Sequence, residues 1–176
     1  MELGVFKGSG MAGWLKMCRY SFINNKKVVG FDIFDDQKLL TSIGTKDKNL
    51  MGSLFAQRSF ASEGYAPVLN TMLRDAGFNN YEIVTGNVFD TIPGYLDANP
   101  GFRASVINFD LDTAEPTYFS LTQLWDRLVK GGVLIFDEYA INEWTESIAV
   151  DQFVNEFGLD LKRTQFEAPS AYIIKT

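Results

Sequence analysis

Two periods of apolar spacing share the chain, and their alternation predicts an α/β fold. Short apolar runs of strand length occur in KKVVGFDIFDD, YEIVTG, ASVINF (Ala104 to Phe109) and VLIF (Val133 to Phe136), and each runs into aspartate or glycine. Between them, apolar residues recur at helical spacing. Met11, Trp14, Leu15, Cys18 and Phe22 form one such stripe; Tyr65, Val68, Leu69, Met72 and Ala76 form a second, closed by Gly77. A later stripe of Ile148, Phe153, Val154 and Phe157 starts at Asn142 or Trp144 and ends at Gly158. The tail LDLKRTQFEAPSAYIIKT reads as two strands joined through Ala168-Pro169-Ser170, an antiparallel hairpin at a sheet edge. Residues 37–61 show no strong period and predict a loop or small helical insertion above the sheet edge, while Asp90 to Pro100 predicts a short helix or loop. Strand–helix alternation followed by a hairpin predicts one domain over residues 1–176: an open, doubly wound, seven-stranded sheet in the order 3-2-1-4-5-7-6. The last strand is antiparallel and helices cover both faces. Few residues precede Gly4, so the first strand is truncated.

The stretch from Ala104 to Tyr139 organises the rest. A strand ending in Asp110 and Asp112 is followed by a helix, a Gly131-Gly132 stop, and a second strand ending in Asp137-Glu138. Thr113 is the expected N-cap, Pro116 suits the first turn, and Leu121, Leu124, Trp125 and Leu128 make the apolar stripe. Lys130 offsets the negative helix end and Gly131 is the left-handed residue after it. A right-handed crossover puts both strand ends on one edge, ~5 Å apart if the strands are neighbours. Four carboxylates then converge and raise one another's pKa, and a divalent cation is the simplest resolution.

Upstream, Gly4, Gly8 and Gly10 lie between the first strand and the first helix, where a ligand can approach backbone N–H groups at the positive helix end. Their spacing is neither the dinucleotide pattern nor a P-loop, and an ordinary glycine-rich turn reads equally well. Asp32 stands at the end of the second strand, placed to accept the hydroxyls of a ribose. Asp35 and Asp36 read as solvated turn residues. In the Gly86-Asn87-Val88-Phe89 turn, Asn87 could meet an adenine amino group and Phe89 pack on the ring; a turn former and a core aromatic fit these two residues as well.

Composition narrows the chemistry. Hydrophobic residues make up 46% of 176 residues, enough for a real core. A net charge of −6 argues against general binding of nucleic acid or anionic membranes. Cys18 is alone, and no histidine occurs, which removes imidazole catalysis and histidine metal sites. Proton chemistry falls to carboxylates, Lys, Tyr or water. No apolar run reaches membrane-spanning length, and the cytoplasm is the default compartment.

Five segments, ELGVFKG, GFDIFDD, GNVFDTIP, FDLDTAEPT and KGGVLIFDEY, in this order and at these separations, resemble the macrocin O-methyltransferase family of S-adenosylmethionine-dependent sugar O-methyltransferases. The resemblance implies the class I methyltransferase version of the Rossmann-like sheet. It implies S-adenosylmethionine bordered by Glu2, Gly4 and Gly8, its ribose on Asp32 and its adenine flanked by Asn87 and Val88. It further implies Mg²⁺ (or Mn²⁺) on Asp110, Asp137 and Glu138, Asp112 as base, and a small-molecule sugar or glycoside as acceptor, with room for a homo-oligomer. The chain departs from the family at Ala114, where Tyr is common, and at Glu138, where Asp also occurs; it also begins inside the first strand. The rival readings are a truncated, non-catalytic version of the fold and a Rossmann-type oxidoreductase, the latter disfavoured by the glycine spacing and the carboxylates.

Overall fold

In the computed structural model, which describes residues 1–23, 25–57, 63–141 and 144–176, the apolar runs become strands β1 (Glu2–Leu3), β2 (Val28–Asp32), β3 (Tyr81–Thr85), β4 (Ala104–Phe109), β5 (Leu128–Phe136), β6 (Leu161–Arg163) and β7 (Ala171–Ile174). They pair in the expected order β3-β2-β1-β4-β5-β7-β6. β7 is antiparallel to both β5 and β6. β1 pairs with β2 through Glu2↔Gly30 and Leu3↔Phe31, and with β4 through Glu2↔Asn108 and Leu3↔Phe109.

The helices are α1 (Ser9–Tyr20), α2 (Asp36–Ser42), α3 (Thr45–Gln57), α4 (Tyr65–Asp75), α5 (Val88–Ala98), α6 (Ala114–Leu124) and α7 (Glu146–Phe157). Strand alternation sorts them into two layers. Val29 and Phe31 pack with Ile92 of α5, Leu121 of α6 and Phe153 of α7. Val28, on the opposite face, packs with Met11 and Leu15 of α1 and Leu69 and Leu73 of α4. Gly30 lets α1 come close: a Cβ there would lie 2.4 Å from the Met11 sulfur. No helix among the described residues is long and apolar enough to cross a membrane.

The segment over residues 37–61 takes the helical of its two expected forms, as α2 and α3, as far as Gln57. Several other expectations are corrected. Asp35 is the N-cap of α2 rather than a solvated turn residue, accepting from the Lys38 N–H at 2.9 Å. The region after β3 is helical from Val88, earlier than Asp90. α7 begins at Glu146, not Trp144; Asn142 lies outside the described residues. Val68, Met72, Ile148 and Phe157 are exposed, so the stripes of α4 and α7 are phased differently from the expectation, with Leu73, Ala149 and Val150 turned inward instead; the α1 stripe is buried as expected at Met11 and Leu15, and only Phe22, past the end of that helix, is exposed. Apolar residues adjacent in sequence gave two stripes to choose from, and contact with the sheet decides between them.

The helix expected to run to Gly131 stops at Leu124, passes through a 3₁₀ turn at Trp125–Arg127, and gives way to β5 at Leu128. Lys175 from the tail explains the early stop. Its ammonium donates to the carbonyls of Trp125 at 2.6 Å and Leu128 at 3.0 Å, satisfying acceptors that a continued helix would have used. Gly131 is left-handed as expected (φ 76), but inside a strand bulge, where the register jumps from Ala104↔Leu128 to Val106↔Val133.

Candidate active site

The turn between β1 and α1 is held by Asp32. One carboxylate oxygen accepts from the Val5 N–H at 2.8 Å and the Phe6 N–H at 2.7 Å, and the other accepts from the Phe34 N–H at 2.7 Å. A carboxylate offers about four acceptor positions, so Asp32 as folded retains room for one hydroxyl of a ribose rather than the expected two. Gly4 closes the approach of the turn to β4. It is left-handed (φ +86), and a Cβ there would lie 1.7 Å from the Asp110 carbonyl oxygen. Gly8 caps α1 at φ +83 and packs against Leu69.

Glu2 is buried beneath the start of α1, where a Cβ on Gly10 would lie 1.7 Å from its carboxylate. Burial first, then the nearby Asp110, push Glu2 up to about 8, although it accepts from the Met11 N–H. One of its oxygens has no partner.

Across β1, Asn87 is the N-cap of α5, its side chain accepting from the Phe89 N–H at 3.2 Å. The Phe89 ring stacks on Phe119, 4.8 Å between centroids. Gly4, Asp32, Asn87, Val88 and Phe89 all line one cavity of about 350 Å³, whereas Glu2 and Gly8 do not line it. The helical insertion supplies an apolar side of the same cavity through Leu39, Ile43, Met51, Leu54 and Phe55.

The cavity reaches the carboxylates as well, through Asp110, Asp112 and Glu138. One oxygen from each of these three lies within 4.8 Å of the others. The expected set of Asp110, Asp137 and Glu138 is thus brought together in part: Asp112 joins the group and Asp137 stands beside it. The reason is a tight turn. Asp112 adopts φ 63 and the Thr113 N–H donates back to the Leu111 carbonyl at 2.6 Å. Asp110 and Asp112 therefore converge by a turn and not by the alternation of an extended strand. Such a backbone costs about 1–3 kcal/mol at a residue with a side chain.

Electrostatics fit the geometry. Burial, then Asp137, Glu138 and Asp32, lift Asp110 to about 7. Burial and then Asp137 lift Glu138 to about 7. Asp112 is raised well above the ordinary carboxylate range by burial and then by Asp110, and Asp137 is raised by burial. Carboxylates this close and this short of hydrogen-bond donors suit a hard divalent cation with oxygen ligands.

Two further acids escape a reading of the sequence. Glu146 is fully buried; one oxygen accepts from the Glu138 N–H at 3.2 Å and the other has no partner. Asp47 of α3 is buried and accepts from the Thr145 hydroxyl. The available signal was spacing: Glu146 shares its face with Ala149, Val150 and Phe153, and Asp47 shares one with Met51. A stripe phased on Ile148 hides the first. Thr113 sits at the N-cap of α6 as expected but does not cap with its side chain; the Ala114 N–H donates instead to the Thr145 hydroxyl at 2.8 Å.

A family model described as a methyltransferase domain matches residues 1–139. Among solved structures, the O-methyltransferase NovP is 21% identical with a TM-score of 0.79, the alignment covering 99% of this chain and 70% of NovP. CalS11, a TDP-rhamnose 3′-O-methyltransferase of calicheamicin biosynthesis, is 25% identical in its apo form, with a TM-score of 0.74 and the same coverage of 99% and 70%. An O-methyltransferase from Bacillus cereus in complex with SAH is 12% identical with a TM-score of 0.58, over 99% of this chain and 72% of that one. Comparison with curated proteins finds no match.

Proposed function

Since the chain belongs to the methyltransferase-domain family, we propose that this S-adenosylmethionine-dependent O-methyltransferase acts on a hydroxyl of a sugar or glycoside with the help of a divalent cation. One observation carries the reading: a single cavity runs from Gly4, Asp32, Asn87 and Val88 to Asp110, Asp112 and Glu138. A cofactor along the first group would direct its sulfonium methyl at an acceptor lodged against the second. The apolar side formed by α2 and α3 suits the non-polar face of such an acceptor.

Asp32 would hold one ribose hydroxyl, and the Asn87–Val88 turn would flank the adenine. Asp110 and Glu138 would hold the cation, with Asp137 adding negative charge beside them. When bound, Mg²⁺ or Mn²⁺ offsets the mutual repulsion of the carboxylates and acidifies a hydroxyl placed against it. Asp112 takes that hydroxyl's proton. S-adenosylmethionine, when bound, would supply the methyl group: its carbon–sulfur bond would break as the acceptor oxygen bonds the methyl carbon, the sulfur keeping the electron pair as a neutral thioether. Asp112 is suited to this role by its place at the cavity wall, with a carboxylate oxygen within 4.8 Å of those of Asp110 and Glu138.

The test is calorimetric titration with S-adenosylhomocysteine and with Mn²⁺, followed by labelled methyl transfer to a panel of glycosides. The proposal expects both ligands to bind and transfer to require a divalent cation. Absence of cofactor binding would favour a non-catalytic version of the fold. Transfer indifferent to EDTA would remove the cation from the reaction.

A further inference from the structure

Resting on the site reading just given, we infer that Asp47 and Thr145 are positioning residues that join the helical insertion over the cavity to the turn carrying Asp112. Asp47 belongs to α3, whose Met51, Leu54 and Phe55 line the apolar side of the cavity. Both of its oxygens face the Thr145 hydroxyl, at 2.8 and 2.9 Å. That hydroxyl in turn accepts from the Ala114 N–H at 2.8 Å. A hydroxyl has one proton to give, and an amide can only donate, so the direction of the chain is fixed: Ala114 N–H to Thr145 oxygen, Thr145 O–H to the Asp47 carboxylate. Successive hydrogen bonds of this kind polarise and strengthen one another.

The relay falls where the carboxylate turn needs support. Ala114 is the first residue of α6, and its N–H has no partner within the helix. Thr113 makes no side-chain cap hydrogen bond, its hydroxyl donating to the Leu111 carbonyl at 3.2 Å. The cap is therefore borrowed from a residue 31 positions later, which is itself oriented by a residue 98 positions earlier. The next residue, Glu146, holds the Glu138 N–H. Thr145 and Glu146 together anchor the backbone on both sides of the trio of Asp110, Asp112 and Glu138.

Asp47 makes no ion pair among the described residues. A buried carboxylate supported by one hydroxyl stabilises less well than an apolar side chain of similar size. Its consequence is positional: the seating of α3 and the shape of the Asp112 turn depend on one shared hydroxyl.

The experiment compares Thr145→Ser, Thr145→Val and Asp47→Ala with the wild type by amide exchange in NMR and by Mn²⁺ affinity in electron paramagnetic resonance. Thr145→Val, which alters no charge, should speed exchange of the Ala114 amide and of the α3 amides at least tenfold and weaken Mn²⁺ about tenfold. Thr145→Ser should stay within about twofold of wild type on every readout. Asp47→Ala should speed exchange at Ala114 too, although Asp47 does not touch it; a merely local packing role would leave that amide unmoved. Unchanged Ala114 exchange in Asp47→Ala, or unchanged Mn²⁺ affinity in Thr145→Val, overturns the inference. If Thr145→Val does not fold, or if the wild type takes up no Mn²⁺ and the cation reading fails, the Ala114 amide in Asp47→Ala decides alone.

Discussion

Glu146→Gln should stabilise the protein at neutral pH and leave it unchanged in acid. Glu146 is 0% exposed, with one oxygen on the Glu138 N–H and the other without a partner. Burial, then Asp110, Glu138 and Asp137, raise it from 4.5 to about 9, against the lowering effect of the Glu138 N–H. Its folded value lies above its unfolded one, so between these limits the folded state holds the proton that the unfolded state has released. Stability from this group is full below the unfolded value and falls as pH rises towards the folded one. At about 1.4 kcal/mol per pH unit, the interval from the ordinary 4.5 to pH 7 amounts to roughly 3 kcal/mol. That figure depends on the folded value only through its lying above 7. Glutamine cannot ionise, keeps an oxygen for the Glu138 N–H, and places an amide donor where the unpartnered oxygen stands. Urea titrations in EDTA should give equal stabilities for the two proteins near pH 4.5 and a variant more stable by roughly 3 kcal/mol at pH 7, with the gap narrowing in Mg²⁺. A variant less stable at pH 7 would mean that the carboxylate is ionised and paired in the folded state, and an offset identical at both pH values would mean that its pKa is the same folded and unfolded; either result refutes the reasoning.

Gly4→Ala should cost more than about 3 kcal/mol or prevent folding, because its Cβ would stand 1.7 Å from the Asp110 carbonyl at φ +86. Gly13→Ala, in α1 with nothing within 4 Å, is the control and should gain up to about 1 kcal/mol in a thermal melt. Asp32→Ala removes the acceptor for three backbone N–H groups, so it should lower stability by about 2–4 kcal/mol and weaken S-adenosylhomocysteine tenfold or more by calorimetry. Asp110→Asn should impair Mn²⁺ affinity and turnover together, whereas Asp112→Asn should spare Mn²⁺ and cut turnover by about 10²–10⁴-fold. If Asp112→Asn weakens Mn²⁺ more than Asp137→Asn does, Asp112 is a ligand and the base must be sought elsewhere.

Strand order was legible because buried parallel strands leave continuous apolar runs, and each of these ends in a residue that cannot extend the strand. VVGF, ASVINF and VLIF needed no tertiary information to be read. The phase of a helix is a different matter: Val68 and Leu69, or Ile148 and Ala149, are adjacent, and only the sheet decides which faces in. The same ambiguity hid Glu146. The end of α6 was misplaced for a related reason, since the residue that terminates it, Lys175, lies 50 positions away. At the site, Asp110, Glu138 and Asp32 were visible as acids at strand ends. The left-handed turn at Asp112, which draws it into the trio, was not, because aspartate carries no local requirement for positive φ.

The two-residue strand β1 has partners 28 positions ahead on one side and 106 on the other, at Gly30 and Asn108. Pairings so distant in sequence form slowly, because loop closure precedes any compensating contact. At a synthesis rate of about 5–20 residues per second, Glu2 leaves the ribosome roughly 5–20 seconds before Asn108 does. β1 thus waits longer than any other strand for its full set of partners. Because Gly4 and the backbone that Asp32 grips follow directly from β1, the cofactor turn matures only when the strand is clasped on both sides. A nascent chain would gain its ability to hold S-adenosylhomocysteine late and in one step, and ligand added during refolding would speed no stage before that clasp.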